Sequence, residues 1–582
     1  MLKATQSSNY VSNKVIAVKP EAQVPYGDNQ SDNVSKQMKF LIPQYLGYIN
    51  PQQTFLKAEV KMTGRGLLKP DPRSGVHSLI ENIRIQDGTS SSTLEEIQNY
   101  NLLTSQKWSY THNESISNKR EDYEGQNKST THSTQLFHNT PADWNAAVVT
   151  TNPNKRTVEC MFPLDTGILG SNKIFPVVAT QGLRLTIDLD NVRNACVLNG
   201  SASNAGDITF TNSGMLADGS SVNTAQDLRL KTALATGLVK GAVATASNVI
   251  VQRPQDAANN AGANRLNALN NSNPFAIGDI LYISLVNGTS EKPVGVIQSF
   301  TKDGDGDLQI SQIMTRNVGT TLGTDYPAGS KLYIKAEDRL RVLTTADYFD
   351  IPVANQLFNE ALGYRMENVE MVVNQVIPPA EYTNNIMKAI QSGNGLTLDY
   401  RTFNTYRHQL SSRNGVTDQL IPATQTKAYS ILSVPTGRTN ARLVTCSAWR
   451  GIVSGDQNYQ YIHNGHLIPN RTVDLSRLST TQRKVGQVYI NELEKALVNC
   501  GLVVRNLYSI QDNYFIARGF SKYGQVYNLT VGDLNLRVQY EGSNFDKNFV
   551  HFIQSRRQIN ICLLYTSDAA DDLLCVDLGG RR

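Results

Sequence analysis

The feature that most constrains the fold is a strict alternation of residue types along several short segments. In residues 54–62 the two faces of this pattern are Thr54, Leu56, Ala58, Val60 and Met62 on one side and Lys57, Glu59 and Lys61 on the other. The same period of two recurs in residues 183–189 and 534–540. Successive side chains of a strand point to opposite faces of its sheet, so each segment predicts a strand with one face in a core and one in water. Antiparallel sandwiches produce this alternation.

One segment shows a clear helical periodicity instead of the alternation typical of strands. Ile490, Leu493, Ala496 and Leu497 share one helical face, and Gly501 suits a helix end. We predict a helix there, inside a connection between two strands. The chain has 582 residues, more than one core normally supports, and its many Asn, Thr, Ser and Gly residues suit turns between strands. The sequence therefore indicates an all-β protein of about two to four domains.

Two segments depart from the strand pattern. Residues 1–38 are polar and contain Pro20, Pro25 and Gly27, so they predict an extended arm that only neighbouring molecules would order. Residues 200–340 open with a low-complexity stretch of Ala, Asn, Ser and Gly and continue with a compact β pattern. They indicate an insertion that leaves and re-enters its host domain at adjacent points.

The insertion contains four apolar segments separated by turn clusters, at residues 280–283, 294–297, 308–310 and 331–334. These segments predict strands, and a small four- or five-stranded barrel fits their number. Such an insertion most easily leaves a sandwich through a loop at one end, so we expect it to stand out from the surface as a tower.

One acidic group resembles a metal site without completing its pattern. Asp303, Asp305 and Asp307 are spaced like the start of a calcium-binding loop. That loop needs Gly at its sixth position and Glu at its twelfth, where Leu308 and Met314 stand. A solvated hairpin turn is the favoured interpretation.

Catalytic and nucleotide-binding motifs are also incomplete. His463 and His466 lie three residues apart, but Asn464-Gly465 between them favours a turn and supplies no Glu general base. A GxSxG motif is absent, and Gly329-Ser330-Lys331 lacks the spacing of a phosphate loop and leads into a strand. An acid–base pair assembled by folding stays open. We predict no catalytic residue, no cofactor and no metal site.

Charge, hydropathy and cysteine spacing argue against several classes of protein. A net charge of +5 is small for this length, so charge indicates no specific nucleic-acid partner. No segment approaches the roughly 20 uninterrupted apolar residues of a membrane span, and the first residues contain no apolar signal core. The six cysteines show neither a disulfide framework nor a paired metal spacing, so buried free thiols are expected. We expect a protein made and used in the cytoplasm or nucleus.

Residues 562–582 differ in character from the rest of the chain. The sequence that follows Cys562 looks like the conceptual translation of a sequencing adapter; it reads LLYTSDAADDLLCVDLGGRR. We expect this tail to be non-native and exclude it from the fold. A native acidic tail is the alternative.

Several segments of the first half follow a recognisable order. Residues 78–88 and 94–100 resemble the early strand pair of one known family and the segment after it. Residues 162–167, 173–178 and 183–189 resemble that family's Pro-Leu loop and the long strand that it feeds, and this is the most distinctive segment. Together they resemble the double jelly-roll major capsid proteins of virophages, polinton-like viruses and related nucleocytoplasmic-type double-stranded DNA viruses.

The second half continues the resemblance. Residues 368–382 resemble the closing strand of a first jelly roll, and residues 393–401 resemble the opening of a second. Residues 463–469 and 549–561 are similar to family positions late in that second roll. The resemblance thus covers most of residues 40–561, but the insertion matches no family segment.

The resemblance implies an all-β fold of two tandem eight-stranded jelly rolls, with a small β-barrel-like insertion in the first. The implied domains are an arm at 1–38, jelly roll 1 at 39–199 plus 341–385, an inserted tower domain at 200–340, jelly roll 2 at 386–561, and a non-native tail at 562–582.

The implied function is that of a structural major capsid protein in the virion, not an enzyme. Three chains would associate into a pseudo-hexameric capsomer that tiles an icosahedral shell. The implied partners are further copies of the chain, penton and minor capsid proteins, and a host receptor contacted through the insertion. A multidomain carbohydrate-binding or tail-fibre-like protein is the alternative, and it predicts exposed aromatic residues grouped into a sugar platform. A β-sandwich glycosidase would need two carboxylates about 5 to 10 Å apart in a cleft.

Overall fold

A computed structural model gives the three-dimensional structure of the chain. The residues that it describes are 12–29, 33–63, 68–71, 73–88, 92–126, 157–198, 233–239, 248–252, 279–285, 292–297, 299–302, 308–311, 326–327, 330–335, 363–391, 396–410, 415–437, 456–475, 487–505, 514–520, 525–540 and 547–561. Strands dominate these residues, and few helices accompany them.

The strands fall into three groups along the chain. The first group is β1 (Ser12–Val18), β2 (Tyr26–Asp28), β3 (Gln37–Ile42), β4 (Tyr48–Ile49), β5 (Phe55–Thr63), β6 (Leu68–Pro70), β7 (Ile80–Asp87), β8 (Thr93–Gln98), β9 (Thr157–Pro163), β10 (Leu183–Leu189) and β11 (Cys196–Leu198). The insertion contains β12 (Ala233–Val239), β13 (Asn248–Gln252), β14 (Ile280–Ser284), β15 (Lys292–Val296), β16 (Ser299–Lys302), β17 (Leu308–Ser311) and β18 (Lys331–Lys335). The remaining strands are β19 (Gly363–Ile377), β20 (Leu396–Leu410), β21 (Gly415–Ile421), β22 (Ala428–Gly437), β23 (Asp456–His463), β24 (His466–Asp474), β25 (Ile516–Gly519), β26 (Leu534–Tyr540) and β27 (Lys547–Ile561).

Eight of these strands form a first jelly roll. One sheet has the order β1-β19-β5-β9, and the sheet packed against it has the order β3-β10-β7-β8. Counted along the chain, the first sheet joins the first, eighth, third and sixth strands, and the second joins the second, seventh, fourth and fifth. This order defines the jelly roll, in which the chain wraps back and forth between two antiparallel sheets. The short strands β2 and β4 extend the first sheet by pairing with β19.

The second half repeats the same order. One sheet reads β20-β27-β22-β25 and the other reads β21-β26-β23-β24, so the first, eighth, third and sixth strands again share a sheet. The predicted fold of two tandem jelly rolls is therefore confirmed.

The alternating segments occupy the positions that their pattern predicts. In β5 the buried face contains Leu56, Ala58, Val60 and Met62. The strands β10 and β26 both lie inside their sheets, with a neighbour on each side. In β10, Ile187 lies opposite Met38 and Ile83, and all three side chains are buried in the core.

Helices occupy connections between strands. They are α1 (Tyr100–Thr111), α2 (Glu114–Glu124), α3 (Val192–Ala195), α4 (Ala380–Gln391) and α5 (Gln487–Asn499). The prediction of a helix around residues 490–497 is confirmed by α5, which lies between the fifth and sixth strands of the second roll. The helices α1 and α2 lie in the same connection of the first roll. The prediction of one clear helix missed α1 because all twelve of its residues are buried, so its sequence carries no amphipathic pattern.

The structure corrects the prediction for the amino-terminal arm. The expectation that only neighbouring molecules order residues 1–38 is wrong for Ser12–Val18, because this segment is β1 and pairs antiparallel with β19 of the same chain. It forms the first strand of the first roll. A short segment whose side chains are mostly exposed gives no alternation of apolar and polar residues, so its pattern did not predict a strand.

The insertion lies between the seventh and eighth strands of the first roll and has more strands than predicted. The four predicted segments are present as β14, β15, β17 and β18. However, seven strands pair in the order β15-β14-β18-β12-β13-β17-β16, so the count of four or five is wrong. The strands β12 and β13 lie in a segment rich in Ala and Asn, and this composition obscured their short apolar runs. In the structure β12 pairs with β18, and β13 pairs with β17.

Two further predictions concern the turn at Asn464-Gly465 and the tail at residues 562–582. Asn464 and Gly465 have φ values of 49° and 75° and form the turn between β23 and β24, as their sequence predicts. Residues 562–582 lie outside the described residues, and the remaining domain boundaries stay predictions.

Substitution of Gly27 tests the packing of β2 on β19. Gly27 has a φ of 148°, and a Cβ atom there would lie 2.2 Å from the carbonyl oxygen of Tyr364. Gly47 also has a positive φ, 70°, but has open space around it. We expect Gly27→Ala to lower the free energy of unfolding by about 1–3 kcal/mol more than Gly47→Ala does, because only the first adds a backbone clash to conformational strain. Thermal unfolding of the two variants measures this difference, and equal losses would contradict the described pairing.

Candidate functional site

The two rolls meet where the edge strand β8 of the first faces β20 of the second. The edge of a sheet presents backbone groups that the sheet itself leaves unpaired. Here the hydroxyl of Tyr400 donates to the carbonyl of Leu94, and the hydroxyl of Thr405 donates to the carbonyl of Gln98 at 2.8 Å. The Arg557 guanidinium, from β27, also donates to the Leu94 carbonyl at 3.4 Å. Side chains of the second roll thus satisfy the edge of the first.

Glu95 is the centre of this joint between the rolls. Its Oε1 accepts hydrogen bonds from the backbone N–H of Gly167 at 2.7 Å and from the Thr402 hydroxyl at 2.6 Å. Its Oε2 accepts from the N–H of Ile168 at 2.9 Å. The carboxyl group is fully buried, and this burial raises its pKa although the three donors and the nearby charge of Arg557 oppose the shift. One carboxyl group therefore connects β8, the loop before β10 and the second roll.

Gly167 allows the close approach at this point. A Cβ atom on residue 167 would lie 2.2 Å from the carbonyl oxygen of Arg401 and 2.7 Å from the ring of Tyr400. Only glycine therefore fits between Glu95 and β20.

The helix α1 extends the joint beyond β8. The Lys107 ammonium group lies over the Phe403 ring, 5.8 Å from its centroid, and pairs with Asp165. Burial alone would raise the pKa of Asp165, but the Lys107 charge and hydrogen bond outweigh burial, so the pKa is lowered. At the end of α1, the ring of Tyr110 meets that of Phe515 edge-on at 5.2 Å between centroids. The Tyr110 carbonyl also accepts the N–H of Arg505 at 2.8 Å.

A buried polar cluster fixes the connection that contains α1 and α2. His77 Nδ1 lies 2.8 Å from the Tyr100 hydroxyl, and His77 Nε2 lies 3.6 Å from a carboxylate oxygen of Glu124. Arg120 pairs with Glu124 at 3.1 Å and lies over the ring of Trp108. The cluster holds the two helices on the first roll and thus supports the surface that meets the second.

One side-chain pair has the atoms of a nucleophile and its base. Ser433 Oγ lies 2.7 Å from His551 Nδ1 and 2.8 Å from the Tyr461 hydroxyl. Burial, with a smaller contribution from the charge of His408, lowers the pKa of His551 to about 3. Ser433 and His551 are 0% and 1% exposed, so the pair packs inside the second roll and does not reach solvent.

The two histidines that the sequence placed close together are register partners across the turn between β23 and β24, but their side chains have different environments. His463 is buried, with Nδ1 3.0 Å from the Tyr527 hydroxyl and Nε2 3.3 Å from the Leu529 carbonyl, whereas His466 is exposed. In the described part of the chain, no three His, Cys, Asp or Glu side chains form a group that could hold a metal ion. Asp303, Asp305 and Asp307 lie outside it. Lys331 opens β18, as predicted for the segment that resembled a phosphate loop.

The described cysteines fit their prediction. Cys160, Cys196 and Cys500 are free thiols and are buried, and burial raises the pKa of Cys500 to about 12. Among the described residues, no helix has the length and apolar character needed to cross a membrane.

The strand order and the joint together define the class of this molecule: it is a double jelly-roll protein, with two rolls of one topology in a single chain. No family model matches the chain, and no curated protein sequence matches it.

Several solved structures are similar to the chain. The Faustovirus major capsid protein has a TM-score of 0.48 and 8% sequence identity, over 96% of this chain and 92% of that chain. The PBCV-1 protein VP54, as fitted into a reconstruction of the virophage Sputnik, has a TM-score of 0.45 and 8% identity, over 98% and 99%. The mavirus major capsid protein has a TM-score of 0.31 and 10% identity, over 96% and 93%.

The sequence did not predict the residues of the joint. One signal for Glu95 was present: it lies on the same face of β8 as Ile97 and opposite Ile85, where the alternation predicts an apolar residue. An acidic residue on the core face of a strand indicates a buried partner. Its partners come from residues 167, 168 and 402, which no local pattern connects.

Replacement of Glu95 tests the joint. Glu95→Ala leaves the N–H groups of Gly167 and Ile168 buried without an acceptor, at a cost of about 1–3 kcal/mol for each unpaired donor. The neighbouring Glu96 is the matched control, because its partner is the half-exposed Arg84 at 2.9 Å. We expect Glu96→Ala to cost at most about 1 kcal/mol. Thermal unfolding compares the two variants, and an equal loss for both would show that Glu95 does not anchor the rolls.

The pKa of Glu95 predicts a pH dependence. Because its pKa is raised in the folded chain, its stabilising contribution is present below the ordinary pKa of Glu and is lost as pH rises through the raised value. We expect the unfolding temperature of the parent chain to fall relative to that of Glu95→Gln as pH rises above the ordinary pKa of Glu. Burial would raise the pKa of Glu96, but hydrogen bonds from Arg84 and Gln98 lower it overall. The stabilising contribution of Glu96 is therefore lost as pH falls below the ordinary pKa of Glu, so the unfolding temperature of the parent chain should fall relative to that of Glu96→Gln in acid. Parallel trends in the two variants would contradict the assignment.

Proposed function

We propose that this chain is the major capsid protein of a double-stranded DNA virus of the virophage or polinton-like kind. In this role it is a component of the virion, and it assembles in the host cytoplasm or nucleus. The observation that carries the proposal is the fusion of two jelly rolls of identical strand order through a buried joint. The chain is thereby a block with two similar lobes. The segments that resemble double jelly-roll capsid proteins support the same role.

Three such blocks provide six lobes. A head-to-tail contact between chains closes into a ring when its rotation is one third of a turn, and the six lobes then form a pseudo-hexameric capsomer. Such capsomers can tile a hexagonal lattice, and a different protein closes the fivefold vertices. The partners in this proposal are therefore further copies of the chain, a penton protein and minor capsid proteins.

The insertion is proposed to be an outward tower. It leaves the first roll after β10 and β11 and returns at β19, so it emerges from one connection of the sandwich. A connection at the end of a roll tolerates added chain because it does not interrupt either sheet. A host receptor that contacts this tower is part of the proposal. The domain limits at 200–340 and 386–561 belong to the proposal as well, whereas the first roll begins at β1 and is completed by β19.

The role is structural, and the alternatives gain no support from particular residues. Among the described residues, the exposed tyrosines Tyr45, Tyr123 and Tyr382 lie on three different elements. A carbohydrate-binding protein would use aromatic side chains grouped on one surface. The Ser433 and His551 pair is buried, so it does not favour a hydrolase.

The mass of the purified chain tests the proposal. Light scattering of the full chain should give three times the chain mass of 64.2 kDa, because the capsomer is an obligate trimer with an apolar contact. The mass should not change on dilution across the micromolar range. A stable monomer at all concentrations would contradict the capsid role and favour the carbohydrate-binding alternative.

A further inference from the structure

The joint within the chain is a template for a second contact. In the first roll, the fifth strand β8 and the helix α1 that follows it form the surface that the second roll covers. The fifth strand of the second roll is β24, and the helix that follows it is α5. The strand that covers β8 is β20, the first strand of its roll, and the first strand of the other roll is β1. Each half of the joint therefore has an equivalent elsewhere in the chain.

The equivalent helix is uncovered. All residues of α1 are buried, and its contacts with the second roll include Lys107 and Tyr110. Counted back from the last residue of each helix, these positions correspond to Lys495 and Val498 in α5. The side chain of Lys495 is 55% exposed, and Val498 is 55% exposed. An apolar residue thus faces solvent where the first roll has a contact.

The equivalent edge strands are also uncovered. In β24 the second residue, Leu467, is 43% exposed, whereas the second residue of β8, Leu94, is buried and its carbonyl accepts the Tyr400 hydroxyl of the second roll. In β1, Val15 is 71% exposed. Within the described residues, β1 pairs with β19 alone and β24 pairs with β23 alone, so each strand has one open edge.

The register of β1 matches that of β20. Both strands pair with a 15-residue closing strand, β19 or β27, and both begin opposite its last residue. Counted from that point, Ile16 of β1 occupies the position of Tyr400 in β20. Tyr400 is the residue that reaches Leu94 in the joint. By this correspondence, Ile16 lies where a fifth strand such as β24 is contacted, and the exposed Val15 is its neighbour along β1.

We propose that the surface formed by β24 and α5 in one copy of the chain binds β1 of a second copy. The proposal rests on the trimeric role proposed above and names the surfaces that form the trimer. The open edge of β24 carries carbonyl groups, as the edge of β8 does, and exposed Ser12, Asn13 and Lys14 on β1 supply donors for such groups. Val15 and Leu467 supply the apolar part of the contact. The same contact repeated three times closes the ring and covers the outer edges of β1 and β24 in every copy.

Cysteine cross-linking tests this contact. The full-length variant Val15→Cys/Leu467→Cys, treated with a short bis-maleimide, should give covalent trimers on a denaturing gel. The control variant Val15→Cys/Val416→Cys places the second thiol on β21, at the opposite edge of the same sheet from β24, where Val416 is 61% exposed. It should remain a single chain on the gel. The parent chain with the same reagent measures the background of its native cysteines.

Three outcomes separate the two proposals. Covalent trimers from the first pair alone support the contact. Native trimers in which only the control pair links, or in which neither pair links, overturn this contact and leave the capsid role standing. Monomers of the parent chain by light scattering overturn both.

A charge substitution gives a second readout. Val498→Glu on the exposed face of α5 should raise the dissociation constant of the trimer about tenfold or more, because it buries a carboxylate in an apolar contact. Val416→Glu is the matched control and should leave the constant unchanged. Both sites are exposed within a single chain, so neither substitution disturbs a core. Equal effects of the two variants would place the contact elsewhere.

Discussion

The open edge of a β-sheet is the constraint on which this structure depends. An edge carries N–H and C=O groups that need partners, and a second strand would ordinarily continue the ladder. At β8 the carbonyls of Leu94 and Gln98 instead receive hydroxyl donors from Tyr400 and Thr405. Side-chain donors stop the sheet from growing, so the two rolls join without merging into one continuous sheet.

Glu95 shows how this joint gains its geometry. Burial disfavours the ionised carboxyl group, whereas the N–H groups of Gly167 and Ile168 and the hydroxyl of Thr402 favour it. Burial prevails in the pKa, so the group is not an efficient source of stability. It does fix three separate segments relative to one another. The carboxyl group thereby helps to define the angle between the rolls, and the capsid role that we propose requires that angle to be constant.

The sequence predicted the parts of the fold that have one wet face and one dry face. The strands β5, β10 and β26 and the helix α5 all alternate between core and solvent, so their residues alternate as well. The helix α1, buried on all sides, and β1, mostly exposed, carry no such contrast and were missed. The partners of Glu95 were missed for another reason. They lie about 70 and about 300 residues away along the chain, and only the folded topology brings them together.

Electron cryo-microscopy of the purified oligomer tests the central claim most directly. We predict a threefold particle with six rolls in a ring, in which the contact within each chain, β8 with β20, alternates with the contact between chains, β24 with β1. Three protrusions, one for each insertion, should rise from the same face. A particle whose rolls are not arranged in a ring, or whose insertions lie between the rolls, would contradict the account.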